Sequence, residues 1–246
     1  VESSGDGKNA NLVAQLETES LAAKAAEFKT TNNDDTIGWI RIPNTNVDYP
    51  VVYKAGVENY AYYESKGYDK QYSKDGVIWA DYECTFPELS QNTTLYGHNW
   101  HNIYTPRTQA NMQANDLMFS LVMSYNYTDF AQENPFVYFS TTEQDYVFQV
   151  FASYYTDLNF GYNYAQMSQE DFQKVIAEAK AKSLSNYNVP VTSEDKIVTL
   201  STCTRVHGNT NNQRFVVMAK LVPVGTPSTT ISTHSNPIAY NSSIDA

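Results

Sequence analysis

The sequence predicts a mainly β fold, a barrel or sandwich of eight short strands interrupted by helical insertions. From "IGWIRIP" at Ile37 onward, short β-branched and aromatic runs alternate with Pro, Gly and Asn. Only three stretches place apolar residues at helical intervals. The 246 residues are 41% hydrophobic, enough for one sizeable core, and closing or stacking short strands removes their exposed edges.

Residues 9–29, "NANLVAQLETESLAAKAAEFK", are rich in Ala, Leu, Glu and Lys, with Leu12, Leu16, Ala23 and Phe28 at roughly helical intervals. This predicts an N-terminal helix. Candidate strands follow at 37–42, 47–53, 77–80, 93–97, 136–141, 145–156, 196–203 and 214–222. A helical insertion is expected over 107–125, with Met112, Leu117, Met118, Leu121 and Val122 as its stripe. The other insertion, "SQEDFQKVIAEAKAKS", opens with Ser168 as cap and Asp171 three residues on, and aligns Phe172, Val175, Ile176 and Ala179. The tail "GTPSTTISTHSNPIAYNSSIDA" has no periodicity and reads as extended or disordered. Three regions result: an N-terminal helical segment at 1–34, a β domain at 35–224 and the tail at 225–246.

Composition narrows the function classes. Sixteen Lys and Arg against 27 Asp and Glu give a net charge of −11, unsuited to a phosphate backbone, so no nucleic-acid partner is expected. Cys84 and Cys203 lack CxxC spacing and the four histidines are scattered, which predicts no structural zinc. No run is long enough to span a membrane, and Val1 is not an initiator methionine, so an anchor is expected ahead of this stretch.

Three motifs could carry chemistry: "TLYGHN" around His98, "TLSTC" ending at Cys203, and "QRFVVMAKL" containing Arg214. Each falls where a predicted strand begins or ends. A thiolate attacks, an imidazole balances its proton, and a cation receives the developing oxyanion. Arg205 and His207 are rivals for the last two roles, but both lie in a loop. Taken singly, each residue also has a structural reading: a small core cysteine, a turn histidine, a surface arginine.

The motifs "TLSTC", "GHN" and "RFVVMAKL", with "IGWIRIPNTNVDYPVV" and "GVIWADYE" upstream, resemble the sortases, cysteine transpeptidases of Gram-positive bacteria. The likeness covers about residues 35–222, and the helix at 168–185 before the cysteine strand resembles the class B subgroup. The resemblance implies an eight-stranded sortase-type β-barrel, with His98, Cys203 and Arg214 as its catalytic residues and no cofactor. It implies cleavage of a sorting signal at a Thr–X bond and transfer of the acyl group to a peptidoglycan-precursor amine, at the outer face of the cell membrane. Thr204 and Arg205 follow the cysteine where class B relatives often carry an acidic residue.

A peptide groove is expected between the 156–185 insertion and the segment near Asn59, with Asn59, Tyr63, Tyr162, Ser201, Thr202 and Thr204 contacting the signal. Tyr162 and Tyr164, in the aromatic run "NFGYNY", are expected to affect recognition more than stability. Two alternatives stand beside this reading. One is a pilin-polymerising relative using a lysine amine; the other is a non-catalytic surface binding domain with a Cys84–Cys203 disulfide. A papain-like protease is weaker, since its cysteine opens a helix.

Overall fold

The computed structural model describes residues 12–244. Eight strands close into a barrel in the order β1-β2-β3-β4-β8-β9-β6-β5. They are β1 (Thr36–Arg41), β2 (Asp48–Val52), β3 (Ile78–Ala80), β4 (Asn92–Tyr96), β5 (Phe136–Thr141), β6 (Val147–Asp157), β8 (Ile197–Cys203) and β9 (Gln213–Val222). Closure explains how such short strands persist: each backbone edge finds a partner. Two further short strands, β7 (Ser185–Asn186) and β10 (Ser232–Thr233), pair with each other outside the barrel.

Most pairings are antiparallel, but β2–β3 and β4–β8 run parallel. All eleven residues of β6 are buried rather than alternating. Helix α3 (Gln169–Lys182) packs across this strand, so neither face meets water. Ser168 caps α3 as its sequence predicts, its hydroxyl accepting from the Asp171 N–H at 3.1 Å.

The N-terminal helix is shorter than its composition suggests. Helix α1 spans Leu21–Thr31, with Ser20 as N-cap, and residues 9–11 lie outside the described part. Residues 12–19 are not helical, because Val13 bridges Pro227 and Ala14 exchanges main-chain hydrogen bonds with Thr226 and Gly225. Pairing with the tail overrides helix propensity there.

The predicted helix at 107–125 resolves into two 3₁₀ turns, Gln109–Asn111 and Ser120–Asn126, with irregular chain between them. Asp116, buried between the two turns, accepts from the Arg107 guanidinium at 2.7 and 3.0 Å and from the Gln113 N–H at 2.8 Å. The Gln113 N–H thus takes a side-chain acceptor in place of the carbonyl four residues back that a regular helix would give it. Leu121 and Val122 are still buried, whereas Leu117 is exposed. A short helix α2 (Thr128–Glu133) leads from there into β5.

Candidate active site

The parallel pairing of β4 with β8 builds the site. Tyr96 lies opposite Ser201 in that register, so His98 and Cys203, each two residues further on, emerge at the same rim. Three hydrogen bonds hold the two chains together beyond the strands. The Gly97 N–H donates to Ser201 O (3.4 Å), Thr202 Oγ1 to Gly97 O (2.8 Å) and Asn99 Nδ2 to Cys203 O (3.2 Å). Gly97 admits no side chain: a β-carbon would meet Ile78 and Phe119 at 2.5 and 2.6 Å. On the other flank β9 pairs antiparallel with β8, and Arg214 lies directly opposite Cys203.

These three residues line one cleft of about 390 Å³, together with Ser201, Thr202 and Tyr162. Tyr60, Ala61 and Glu64 wall one side, and Leu158, Phe160 and Asn163 from the β6–α3 connection wall the other. The Arg214 guanidinium donates through Nη1 to Asn211 O and Gln213 O at 3.0 and 2.9 Å. Gln213, itself buried, holds the loop by accepting from the His207 N–H and donating to Gly208 O and Thr210 Oγ1. Both rivals are engaged elsewhere: Arg205 with Asn211 and Tyr104, and His207 stacked on Tyr240 and edge-on to Tyr155.

Both cysteines are free thiols, which removes the disulfide on which the binding-domain alternative rested. They differ sharply in setting. Cys84 is buried and its thiol is pushed up to about 12 by that burial, whereas Cys203 is partly open at the cleft.

The expected peptide contacts divide. Ser201, Thr202 and Tyr162 do line the cleft, although all three are buried and already bonded, Tyr162 hydroxyl to Ser201 Oγ at 2.7 Å. Burial raises the Tyr162 phenol above its ordinary range. Asn59 turns its amide onto Ala55 O, so its neighbours Tyr60 and Ala61 form the wall in its place. Tyr63 points into a core cluster with Val52 and Val77, its hydroxyl bonded to Asp35. Thr204 is buried, donating to Ile103 O at 3.1 Å and tying the end of β8 to a neighbouring loop. Tyr164 is 55% exposed and lies outside the cleft lining.

Sequence reasoning missed a polar group in the same cleft. Tyr96 donates to Asp81 at 2.7 Å and accepts from Asn163 at 2.8 Å, and burial raises the Asp81 carboxyl above its ordinary value. The "WADYE" run held the signal, a carboxylate beginning where a strand of apolar residues stops.

The model of the sortase domain matches residues 40–222, well over half of the chain. The chain belongs to the sortase family. Sortase B of Staphylococcus aureus (strain NCTC 8325 / PS 47) is 30% identical over 193 residues, covering 78% of this chain and 72% of that protein. Sortase B of Listeria monocytogenes is 29% identical over 191 residues, 77% of this chain and 71% of the relative. Among solved structures, the Staphylococcus aureus sortase B–substrate complex aligns with a TM-score of 0.68 at 27% identity, covering 84% of this chain and 88% of that one. These relatives place the chain in class B, as an enzyme of the sortase type, a cysteine transpeptidase acting in surface-protein anchoring to the cell wall. The family works on a sorting signal and a cell-wall amine.

Proposed function

We propose that this sortase cleaves a sorting signal at a Thr–X peptide bond through a thioacyl enzyme on Cys203. The Cys203 thiolate forms a bond to the threonine carbonyl carbon, and the oxygen takes the electron pair. As the tetrahedral adduct collapses, the C–N bond breaks and His98 as imidazolium gives its proton to the departing amine. An incoming amine then attacks the thioester, its proton returns to His98, and the Cys203 thiolate leaves. Arg214 stabilises the oxyanion in both halves.

The observation that carries this reading is the register: Cys203 lies opposite Arg214 on the antiparallel side, and His98 follows the parallel partner strand into the same cleft. We place the reaction at the outer face of the cell membrane, where secreted surface proteins and wall precursors meet, with an anchor N-terminal to the described residues. Among those residues no helix is long and apolar enough to cross a membrane.

The test incubates the protein with sorting-signal peptides and two amine classes, wall-peptide amines and the lysine side chain of a pilin-type peptide, and identifies ligated products by mass. A ligated wall-type product with an acyl adduct on Cys203 is expected. Ligation only to lysine would assign the pilin-polymerising reaction instead, and an adduct on Cys84 would overturn the site.

A further inference from the structure

The Nε2 atom of His98 lies 2.5 Å from the main-chain oxygen of Glu64. A carbonyl oxygen only accepts, so the hydrogen between them belongs to the imidazole. The same ring edge abuts Gly76, where a β-carbon would come within 2.8 Å of Cδ2 and 3.3 Å of Nε2. Trp100 stacks on the ring with centroids 5.0 Å apart, and Trp79 tilts against it at 5.6 Å. Trp100 is in turn fixed by its indole N–H on Lys74 O at 2.9 Å. With the Nε2 edge occupied, Nδ1 is the nitrogen left to exchange a proton with the reacting atoms.

The position of the Glu64 carbonyl is set from the barrel. Its neighbour Tyr63 is 2% exposed and donates its hydroxyl to Asp35 at 2.6 Å. Asn33 adds a bond to the same hydroxyl at 3.2 Å, and Lys54 and Lys70 hold Asp35 at 2.8 and 3.1 Å. On either side of Glu64, its own N–H bonds to Ala61 O and the Ser73 N–H bonds to Ser65 O. Tyr60, Ala61 and Glu64 are also one wall of the cleft.

We propose that the main-chain carbonyl of Glu64, anchored through Tyr63 and Asp35, is the orienting acceptor of His98. Tyr63 is then a positioning residue, and one segment both walls the peptide cleft and fixes the ring and tautomer of the proton carrier. A side-chain acceptor does this in other catalytic triads; here a backbone dipole does it without adding a charge. Because wall and acceptor are one segment, a peptide seated against Tyr60 and Ala61 steadies the imidazole as it binds. The inference rests on the role given to His98 above.

Two variants and one spectrum test it. Replacing Ser65 by its α-hydroxy acid turns the Glu64 carbonyl into an ester, a weaker acceptor, while every side chain stays. Tyr63→Phe removes only the hydroxyl that anchors the segment. Each is expected to lower kcat about tenfold with KM changed less than about twofold, as small misplacements of a catalytic group do. The ester variant keeps the test decisive where Tyr63→Phe unfolds. ¹⁵N spectra of histidine-labelled protein, with His98 assigned through His98→Gln, should show the proton on Nε2 in the parent and a tautomer mixture in the ester variant. Neutral His98 protonated only on Nδ1 in the parent, or wild-type kcat in the ester variant, overturns the proposal. The spectrum requires no turnover, so a failed transpeptidation assay leaves this inference separately decided.

Discussion

Arg214 and Arg205 flank the same loop, yet only the first can receive charge from the cleft. Arg214 lies opposite Cys203 and lines the pocket, whereas Arg205 is outside the cleft lining and tied to Asn211 and Tyr104. Arg214→Ala is therefore expected to lower kcat by about 10²–10³, the usual cost of losing an oxyanion donor, while Arg205→Ala keeps most of the activity. Steady-state ligation rates of the two variants check this, and a dead Arg205 variant beside an active Arg214 variant would reverse the assignment. Asp35 supplies a pH-dependent prediction at the same scale. Burial alone pushes its carboxyl up, but bonds from Lys54, Tyr63 and Lys70 outweigh this and hold it below the ordinary 3.8. A depressed carboxyl contributes stability that is present above the unfolded value and is lost as pH falls through the folded one. Asp35→Asn should thus be less stable than the parent near neutral pH, with the difference closing as pH drops below 3.8. Urea unfolding across that range reads the gap, and a gap of constant size would contradict the linkage.

At the scale of elements, the β6–α3 connection is where sequence and structure part most usefully. Its helix was legible because Ser168, Asp171 and the Phe172–Ala179 face obey capping and periodicity, which are local rules. The aromatic run before it obeys no local rule. Whether a tyrosine faces a groove or a core depends on which strand passes beneath, and only the barrel decides that. Tyr162 is 3% exposed and bonded to Ser201, so the expectation that it serves recognition more than stability does not hold for its packing. Tyr162→Ala should cost about 3–5 kcal/mol, as deletion of a buried aromatic does, whereas Tyr164→Ala should leave both melting temperature and KM near the parent values. Thermal unfolding with peptide kinetics on the two single variants distinguishes them, and an unchanged melting temperature in the Tyr162 variant would restore the recognition reading.

At the scale of the whole molecule, the eight barrel strands were legible because turn residues bracket each β-branched run, and His98, Cys203 and Arg214 because strand ends carried them. The N-terminal segment and the tail were not legible, since each is ordered by pairing with the other and the tail also by its bonds to α3. The tail pairs with β7 through β10, buries Ile231 and lays Tyr240 flat on His207 at 4.5 Å, against the loop that joins Cys203 to Arg214. Its carbonyls also satisfy Lys182 on α3: this lysine has 1% of its side chain exposed, pairs with Glu178 at 3.4 Å, and donates to the main-chain oxygens of Ala239, Tyr240 and Ser242. A buried ammonium deprived of most partners is costly, because its desolvation is no longer offset. A chain ending at Ser228 keeps the Val13–Pro227 bridge and the Ser228 bond to Leu12, but loses β10, Ile231, Tyr240 and the Lys182 acceptors. It should be less stable by on the order of 3 kcal/mol. Replacing Lys182 by Met in that shortened chain should recover part of the loss, since the methionine needs no acceptors, while the same change in the full chain should destabilise. Urea unfolding of the four proteins completes the cycle; equal effects of Lys182→Met with and without the tail would show that the lysine and the tail are not coupled.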